Sequence, residues 1–272
     1  MDLSTAKHAF ITGGASGLGL GMADAFLKRG INVTIADIDA DALAAVTATR
    51  GNNVRGAQLD VRNREAWAKA KAEAEAAFGP VDILCCNAGI SPNGREFADM
   101  SPESFDIILA INLGGVVNGC RAFARRLVER GTGGHIVNVA SMAAYTPLSS
   151  LNAYCTSKAA VYMFSDCLRA ELAASGVGLT TICPGVVNTN IVAATDMHAP
   201  DGRQSAVAGR RAHLQRMFEL RNFSPEKVAE AILSAVRKNK PVRPVTPEAY
   251  LLYGASRIAP QALRSTARAK VL

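Results

Sequence analysis

Six short apolar, β-rich runs alternate with segments of helical period, and that alternation leaves the chain few folds to choose from. The runs cover residues 8–12, 32–36, 54–59, 81–86, 135–140 and 178–183. Helical-period segments lie between them at 18–29, 41–49, 64–78, 104–130 and 152–175. This order predicts parallel strands joined by right-handed helical crossovers, with helices on both faces of the sheet. Continuous apolar runs such as Ile83-Leu84-Cys85-Cys86 fit strands covered on both faces rather than an antiparallel edge. The expected fold class is α/β, a doubly wound parallel sheet in three α/β/α layers.

At 272 residues, 49% of them hydrophobic, the chain can bury a sizeable core, and no repeat or low-complexity linker divides it. A single domain over 1–272 is expected. After Pro184 the alternation lapses into polar and small residues up to Arg211, so about 190–216 reads as a lid over a substrate. Ser224-Pro225-Glu226 then reads as a helix cap with proline in the first turn, opening a helix to about Lys240. A strand around 242–245 and a helix from Pro247 follow, with 247–272 as a C-terminal extension.

Glycines and charges interrupt every hydrophobic run before the roughly 18 residues a membrane span needs, and no secretory signal is visible. A cytoplasmic protein without a span is the expectation. Cys85, Cys86, Cys120, Cys155, Cys167 and Cys183 form no C-x-x-C pair and read as buried free thiols of a reducing compartment. His8, His135, His198 and His213 supply neither a triad nor zinc spacing, so no metal is assigned. Residues 1–200 carry 16 Lys and Arg against 18 Asp and Glu, whereas 201–272 carry 14 against 5. Without a nucleic-acid module or interleaved aromatics, that basic region reads as a surface near an interface or an anionic substrate.

The first run ends at Thr12 and leads into Gly13-Gly14-Ala15-Ser16-Gly17-Leu18-Gly19, with a helix starting near Ser16. Helix N-terminal N–H groups favour a phosphate, and Gly17 and Gly19 permit close backbone approach. The spacing Gly13-x-x-x-Gly17-x-Gly19 departs from G-x-G-x-x-G, so a plain glycine turn stays open on this feature alone. The second run leads to Asp37, 18 residues after Gly19, where a carboxylate can accept hydrogen bonds from a ribose diol and repel a 2′-phosphate. Ala15, Ser16 and Ile38 offer that phosphate no cation, which makes NAD the expected cofactor. Asp37 or Asp39 is also placed to cap the next helix.

Tyr154-Cys155-Thr156-Ser157-Lys158 sets a tyrosine and a lysine on one helix face. Tyrosine ordinarily ionises near about pH 10, and an adjacent ammonium favours the phenolate, giving a base for an alcohol. Alone, the pair is a common amphipathic surface feature.

Residues 12–19, Asn87-Ala88-Gly89, Asn112, Ser141, Tyr154, Lys158 and Pro184-Gly185 together occur in the order and approximate spacing of one family. The chain resembles a classical short-chain dehydrogenase/reductase over roughly residues 7–190, and more loosely to about 245. That resemblance implies a Rossmann-type fold. It implies Tyr154 as base in oxidation and acid in reduction, and Lys158 lowering its pKa and binding the nicotinamide ribose. Ser141 would bond the substrate oxygen, and Asn112 would position a proton-relaying water. Gly13, Ser16, Gly17, Leu18 and Gly19 would cradle the dinucleotide, with Asp37 on the ribose and Asp60 and Val61 near the adenine. Asn87, Ala88 and Gly89 would lie beside the adenosine ribose, and Pro184, Gly185, Val187 and Thr189 at the nicotinamide carboxamide. Plainer roles remain open: a turn hydroxyl for Ser141, a helix-bend amide for Asn112, an N-cap for Asp60, and simple turns at 87–89 and 184–185.

These readings converge on an NAD-dependent oxidoreductase interconverting a secondary alcohol and a ketone, as a homodimer or homotetramer. Substrate contacts are expected within 91–97, 142–151 and 186–217, where Ser141, Met142, Tyr145, Leu148, Tyr154 and Met197 favour a bulky hydrophobic, aryl or steroid-like alcohol. Two alternatives share part of the pattern. A non-catalytic nucleotide-binding regulator has no need of both Tyr154 and Lys158. An acyl-carrier-linked ketoreductase could dock an acidic carrier on the basic region, but the NADPH preference of such enzymes conflicts with Asp37.

Overall fold

The computed structural model describes residues 1–91, 96–187 and 224–267. The strands are β1 His8–Thr12, β2 Asn32–Asp37, β3 Val54–Gln58, β4 Ile83–Cys86, β5 Gly134–Val139, β6 Val177–Cys183 and β7 Val242–Pro244. The helices are α1 Gly17–Leu27, α2 Ala40–Ala48, α3 Arg64–Phe78, α4 Pro102–Leu109, α5 Gly115–Arg130, α6 Asn152–Glu171, α7 Pro225–Arg237, α8 Pro247–Ile258 and α9 Pro260–Thr266. All seven strands pair in parallel in the order β3-β2-β1-β4-β5-β6-β7. This is the doubly wound parallel sheet expected from the alternation, of the Rossmann type that the resemblance implied.

Successive side chains on a strand point to opposite faces. On one face Ile11, Ile35, Cys85, Val137 and Ile182 meet Met22 and Phe26 of α1 and Val228, Ile232 and Val236 of α7. On the other, Phe10, Leu84, Ile136 and Leu179 meet Trp67 of α3, Phe123 and Leu127 of α5 and Val161 of α6. The Phe10 ring lies 5.9 Å from Trp67 and 5.1 Å from Phe123, centroid to centroid. Both faces are covered, which is why the strands read as unbroken apolar runs.

Helix α3 has its expected bounds because Asn63 Oδ1 accepts the Ala66 N–H at its start and Gly79, at φ +79°, ends it. The expected helix over 104–130 is instead α4 and α5 joined by a π-turn at Ala110–Gly114. A hydrophobic period averaged over several turns does not register one inserted residue. The helix expected from Pro247 is likewise divided, since Pro260 follows Ala259, whose backbone at φ −140° and ψ 56° is not helical.

Two further expectations need correcting. Followed through the π-turn, Pro102–Arg130 is long and apolar enough, by length and composition, to cross a bilayer. Its Val116, Phe123 and Leu127 are instead buried against the sheet, as in a core helix. The cysteines are not uniformly buried either: Cys155 is half-buried and Cys167 exposed. The buried face of α6 runs through Val161 and Ser165, and residue 167, two positions on, falls on the opposite side.

Strand order reverses between β1 and β4, which opens a crevice at their carboxyl ends.

Candidate active site

The loops leaving β1 and β4 form one hydrogen-bonded unit. Thr12 Oγ1 accepts the N–H groups of Asn87 and Ala88, each at 3.0 Å. Asn87 Nδ2 donates back to the carbonyls of Thr12 at 2.9 Å and Gly13 at 3.1 Å. Gly13 and Gly17 have φ of +61° and +50°, the left-handed region that favours glycine. A Cβ on Gly13 would fall 2.9 Å from Ala88 Cα, and one on Gly19 would collide with the Gly13 carbonyl. Ser16 begins α1 without a side-chain cap bond, so the opening amides of the helix are left by their own cap residue to another partner. The bare backbone, the uncapped amides and the positive helix end make a cradle that suits a pyrophosphate.

At the end of β2, Asp37 Oδ2 accepts the Ala15 N–H at 3.1 Å and Oδ1 the Asp39 N–H at 3.3 Å. The cap of α2 is Asp39, whose Oδ1 accepts the Ala42 N–H at 2.9 Å. The Asp37 carboxylate therefore stays beside the glycine loop. Asp60 is no cap either, because Asn63 fills that place on α3. Asp60 pairs with Arg62 at 2.5 Å, and the guanidinium holds its carboxyl below the usual range. The Val61 carbonyl accepts Trp67 Nε1 at 2.9 Å and Asn118 Nδ2 at 3.0 Å, tying the end of β3 to α3 and α5.

Ser141 follows β5, accepts the Ala143 N–H at 3.1 Å and stands close enough to the Tyr154 hydroxyl to draw its pKa down. Lys158 sits one turn along α6 from Tyr154, its Nζ 5.7 Å from the ring centroid, and donates to the Val139 carbonyl at 2.9 Å. Asn112 is wholly buried in the π-turn. Its Oδ1 accepts the Ile90 N–H at 2.8 Å, while Nδ2 donates to the Ile90 carbonyl at 3.0 Å and Ser157 Oγ at 3.1 Å. Ser157 Oγ in turn donates to the Tyr154 carbonyl at 2.8 Å. A Cβ on Gly89 would lie 3.1 Å from Asn112 Oδ1 and 3.4 Å from Lys158 Nζ, so the 87–89 segment rests on both.

Electrostatics departs from the sequence argument at one point. Burial pushes the Tyr154 hydroxyl above its ordinary pKa, with the Ser141 hydroxyl pulling it down. Burial also lowers Lys158 to about 8. With Nζ engaged by Val139, desolvation rather than the neighbouring ammonium governs the tyrosine.

Opposite Ser141, the Pro184 carbonyl accepts the Met142 N–H at 2.8 Å, and Val187 is buried. Met142 and Leu148 are half-buried near Ser141 in sequence. The Tyr145 hydroxyl donates to the Ala249 carbonyl at 2.9 Å, which turns its polar end to α8. Thr189, Met197 and the expected lid at 190–216 lie outside the described residues. Among the described residues no three His, Cys, Asp or Glu side chains gather to hold a metal ion.

Residues 7–199 match the family described as short chain dehydrogenase. The chain belongs to the classical short-chain dehydrogenase/reductase family. It is 59% identical over 265 residues to the "Probable oxidoreductase EphD" of Mycobacterium tuberculosis, covering 96% of this chain and 45% of that protein. The chain thus spans about half the length of that relative. It is 33% identical over 237 residues to the "C alpha-dehydrogenase" of a Sphingobium strain, covering 85% of this chain and 77% of the relative. A solved short chain dehydrogenase/reductase from Burkholderia phymatum, in complex with NAD, has a TM-score of 0.87 at 27% identity over 98% of this chain and 97% of its own.

Three contributors to this short-chain dehydrogenase's site escape a sequence reading. Thr12 and Ser157 lie inside quoted motifs, yet their hydroxyls act through pairings distant in sequence, with β4 and with Asn112. Glu248, in Thr246-Pro247-Glu248, shares its pattern with the cap Ser224-Pro225-Glu226 and reads only as a helix start. Its carboxylate accepts the Val186 N–H at 2.9 Å.

Proposed function

We propose that residues 1–272 act as one catalytic domain that transfers hydride between NAD and a secondary alcohol or its ketone, in a homodimer or homotetramer. The observation that carries this reading is the meeting of Tyr154 and Lys158 with the β4 loop beside Ser141: Lys158 Nζ lies 5.7 Å from the Tyr154 ring centroid and 3.4 Å from where a Cβ on Gly89 would stand. Gly13, Ser16, Gly17, Leu18 and Gly19 would hold the pyrophosphate of NAD, Asp37 the ribose diol, and Asp60 and Val61 the adenine. Asn87, Ala88 and Gly89 would line the adenosine ribose, Tyr154 and Lys158 the nicotinamide ribose, and Pro184, Gly185, Val187 and Thr189 the carboxamide. When bound, NAD supplies the hydride acceptor.

In oxidation Tyr154 takes the alcohol proton while Ser141 holds the oxygen, and in reduction Tyr154 returns it. Lys158, charged below about pH 8, favours the phenolate. Both Nδ2 protons of Asn112 are spent on Ile90 and Ser157, so a relaying water falls to its main-chain carbonyl in the π-turn. Met142, Tyr145 and Leu148 support a bulky hydrophobic substrate, aryl or steroid-like, with 190–216 as its lid. A panel of secondary alcohols spanning aliphatic, aryl and steroid classes, assayed by the absorbance of reduced cofactor, tests this. Turnover of bulky apolar alcohols is expected, and none with any member would overturn the activity.

A further inference from the structure

Helix α8 reaches both walls of the nicotinamide end. Its N-cap Thr246 is 1% exposed and accepts the Ala249 N–H at 3.4 Å. From the first turn, Glu248 Oε1 accepts the Val186 N–H at 2.9 Å. Gly185 is pressed on the same turn, since a Cβ there would collide with Thr246 Oγ1 and lie 2.5 Å from Glu248 Oε1. On the other wall, the Tyr145 hydroxyl donates to the Ala249 carbonyl at 2.9 Å, and its ring meets Tyr253 edge-on at 5.4 Å. The helix is in turn tied to α6: Arg257 stacks over Tyr253 at 5.3 Å and donates to the Tyr162 hydroxyl at 2.8 Å.

We infer that Glu248 is a positioning residue, which fixes the Pro184–Val187 turn at the depth the nicotinamide ring needs, an assignment that rests on the reading of 184–189 as the carboxamide segment. The carboxylate holds an N–H that faces no strand partner, and a charge-assisted bond of this kind is stronger and better oriented than a neutral one. It also lies in the first turn of α8, where the helix dipole stabilises its charge. The turn is thereby referenced to α8, and through Tyr145 to the segment carrying Ser141. The donor and acceptor sides of hydride transfer share one support. The effect is expected at the nicotinamide end, because the Val186 N–H that Glu248 holds lies past the end of β6, whereas the glycine cradle and Asp37 sit on β1, α1 and β2.

The test compares NAD with ADP-ribose, which keeps the adenosine, pyrophosphate and second ribose but lacks the nicotinamide. Glu248→Ala is expected to weaken NAD about tenfold by calorimetry and to leave ADP-ribose within about twofold. Glu248→Gln, which keeps an acceptor at the same reach, should recover most of the NAD affinity and of kcat. Should Glu248→Ala not fold, Glu248→Asp keeps the charge but retracts the oxygen by one methylene, and the same NAD-selective loss is expected. Parallel changes in both ligands, or no change in either, would remove Glu248 from the positioning role. Wild-type protein without NAD-linked turnover would instead defeat the proposed function, so the two failures are told apart.

Discussion

Lys158 and Tyr154 are expensive to bury, and that cost is the signature of their use. Lys158 is 4% exposed and its pKa falls from 10.5 to about 8, so the folded chain gives up this proton more readily than the unfolded one. Between those two values the unfolded state binds more protons and stability rises with pH; at about pH 8 and below the full cost is present. The shift corresponds to about 3 kcal/mol, against which Lys158→Met would orphan the Val139 carbonyl at about 1 kcal/mol. Lys158→Met is therefore expected to be inactive yet about 1–2 kcal/mol more stable at pH 7 by denaturant titration, the gain shrinking toward about pH 10. A variant less stable than wild type at pH 7 would show that Lys158 carries no burial penalty. Tyr154→Phe should lower turnover by about 10²–10⁴ and leave NAD affinity nearly unchanged, since the hydroxyl moves a proton and does not anchor the dinucleotide. With the tyrosine raised by burial, oxidation should accelerate and reduction slow as pH rises. For Asp37→Ala, the preference of kcat/KM for NAD over NADP, expected at about ten- to a hundredfold, should narrow. A wild-type preference for NADP would defeat the role given to Asp37.

At the level of elements, the junction of β1 and β4 holds together the two loops on which the proposed cofactor site depends. Thr12 Oγ1 is the shared acceptor of two amides past β4, so Thr12→Val leaves both without it while filling the same volume. The expected loss is about 2–4 kcal/mol of stability, with weaker NAD binding, and Thr12→Ser should restore both. Equal behaviour of the valine and serine variants in thermal denaturation would mean the hydroxyl is not the staple. The elements themselves are largely legible in the sequence, because strands covered on both faces read as unbroken apolar runs and helices impose a period of 3.6. Helix α3 is readable to the residue since Asn63 and Gly79 mark its ends. What escapes is whatever depends on partners distant in sequence. Asn112 was legible as a candidate site residue, but the π-turn that carries it was not. Asp37 and Asp39 are equivalent caps on paper, and only the fold sends one to the Ala15 amide and the other to Ala42. Tyr154 could be named from its spacing to Lys158, while the direction of its pKa shift depends on burial, which spacing does not encode.

Over the whole molecule the two ends of the sheet divide the pH range between them. The carboxyl ends carry Tyr154 and Lys158, which titrate in alkali; the amino ends carry two buried imidazoles, which titrate in acid. His8 Nε2 lies 2.9 Å from Thr34 Oγ1, with Nδ1 2.8 Å from the Gly79 carbonyl. His135 Nε2 lies 2.8 Å from Thr180 Oγ1, and its buried Nδ1 has no hydrogen-bond partner among the described residues. Burial lowers both rings, His135 from 6.5 to about 3, with the N-terminal ammonium and Arg169 adding to the effect. A lowered histidine is neutral in the folded state, so below about pH 6.5 the unfolded chain binds the extra proton and stability falls as pH drops toward about 3. At pH 5 the share of His135 is about 2 kcal/mol. His135→Gln, which keeps a polar group near Thr180, should cost about 1–2 kcal/mol at pH 7 but reduce the further loss between pH 7 and pH 5 by about 2 kcal/mol. Urea titrations of both proteins at the two pH values check this, and an unchanged difference between them would move the acid sensitivity elsewhere. On the proposed mechanism, acid would favour ketone reduction at the Tyr154 and Lys158 end while lowering stability through His135 at the opposite end of the sheet, so the two effects of acid on turnover oppose each other.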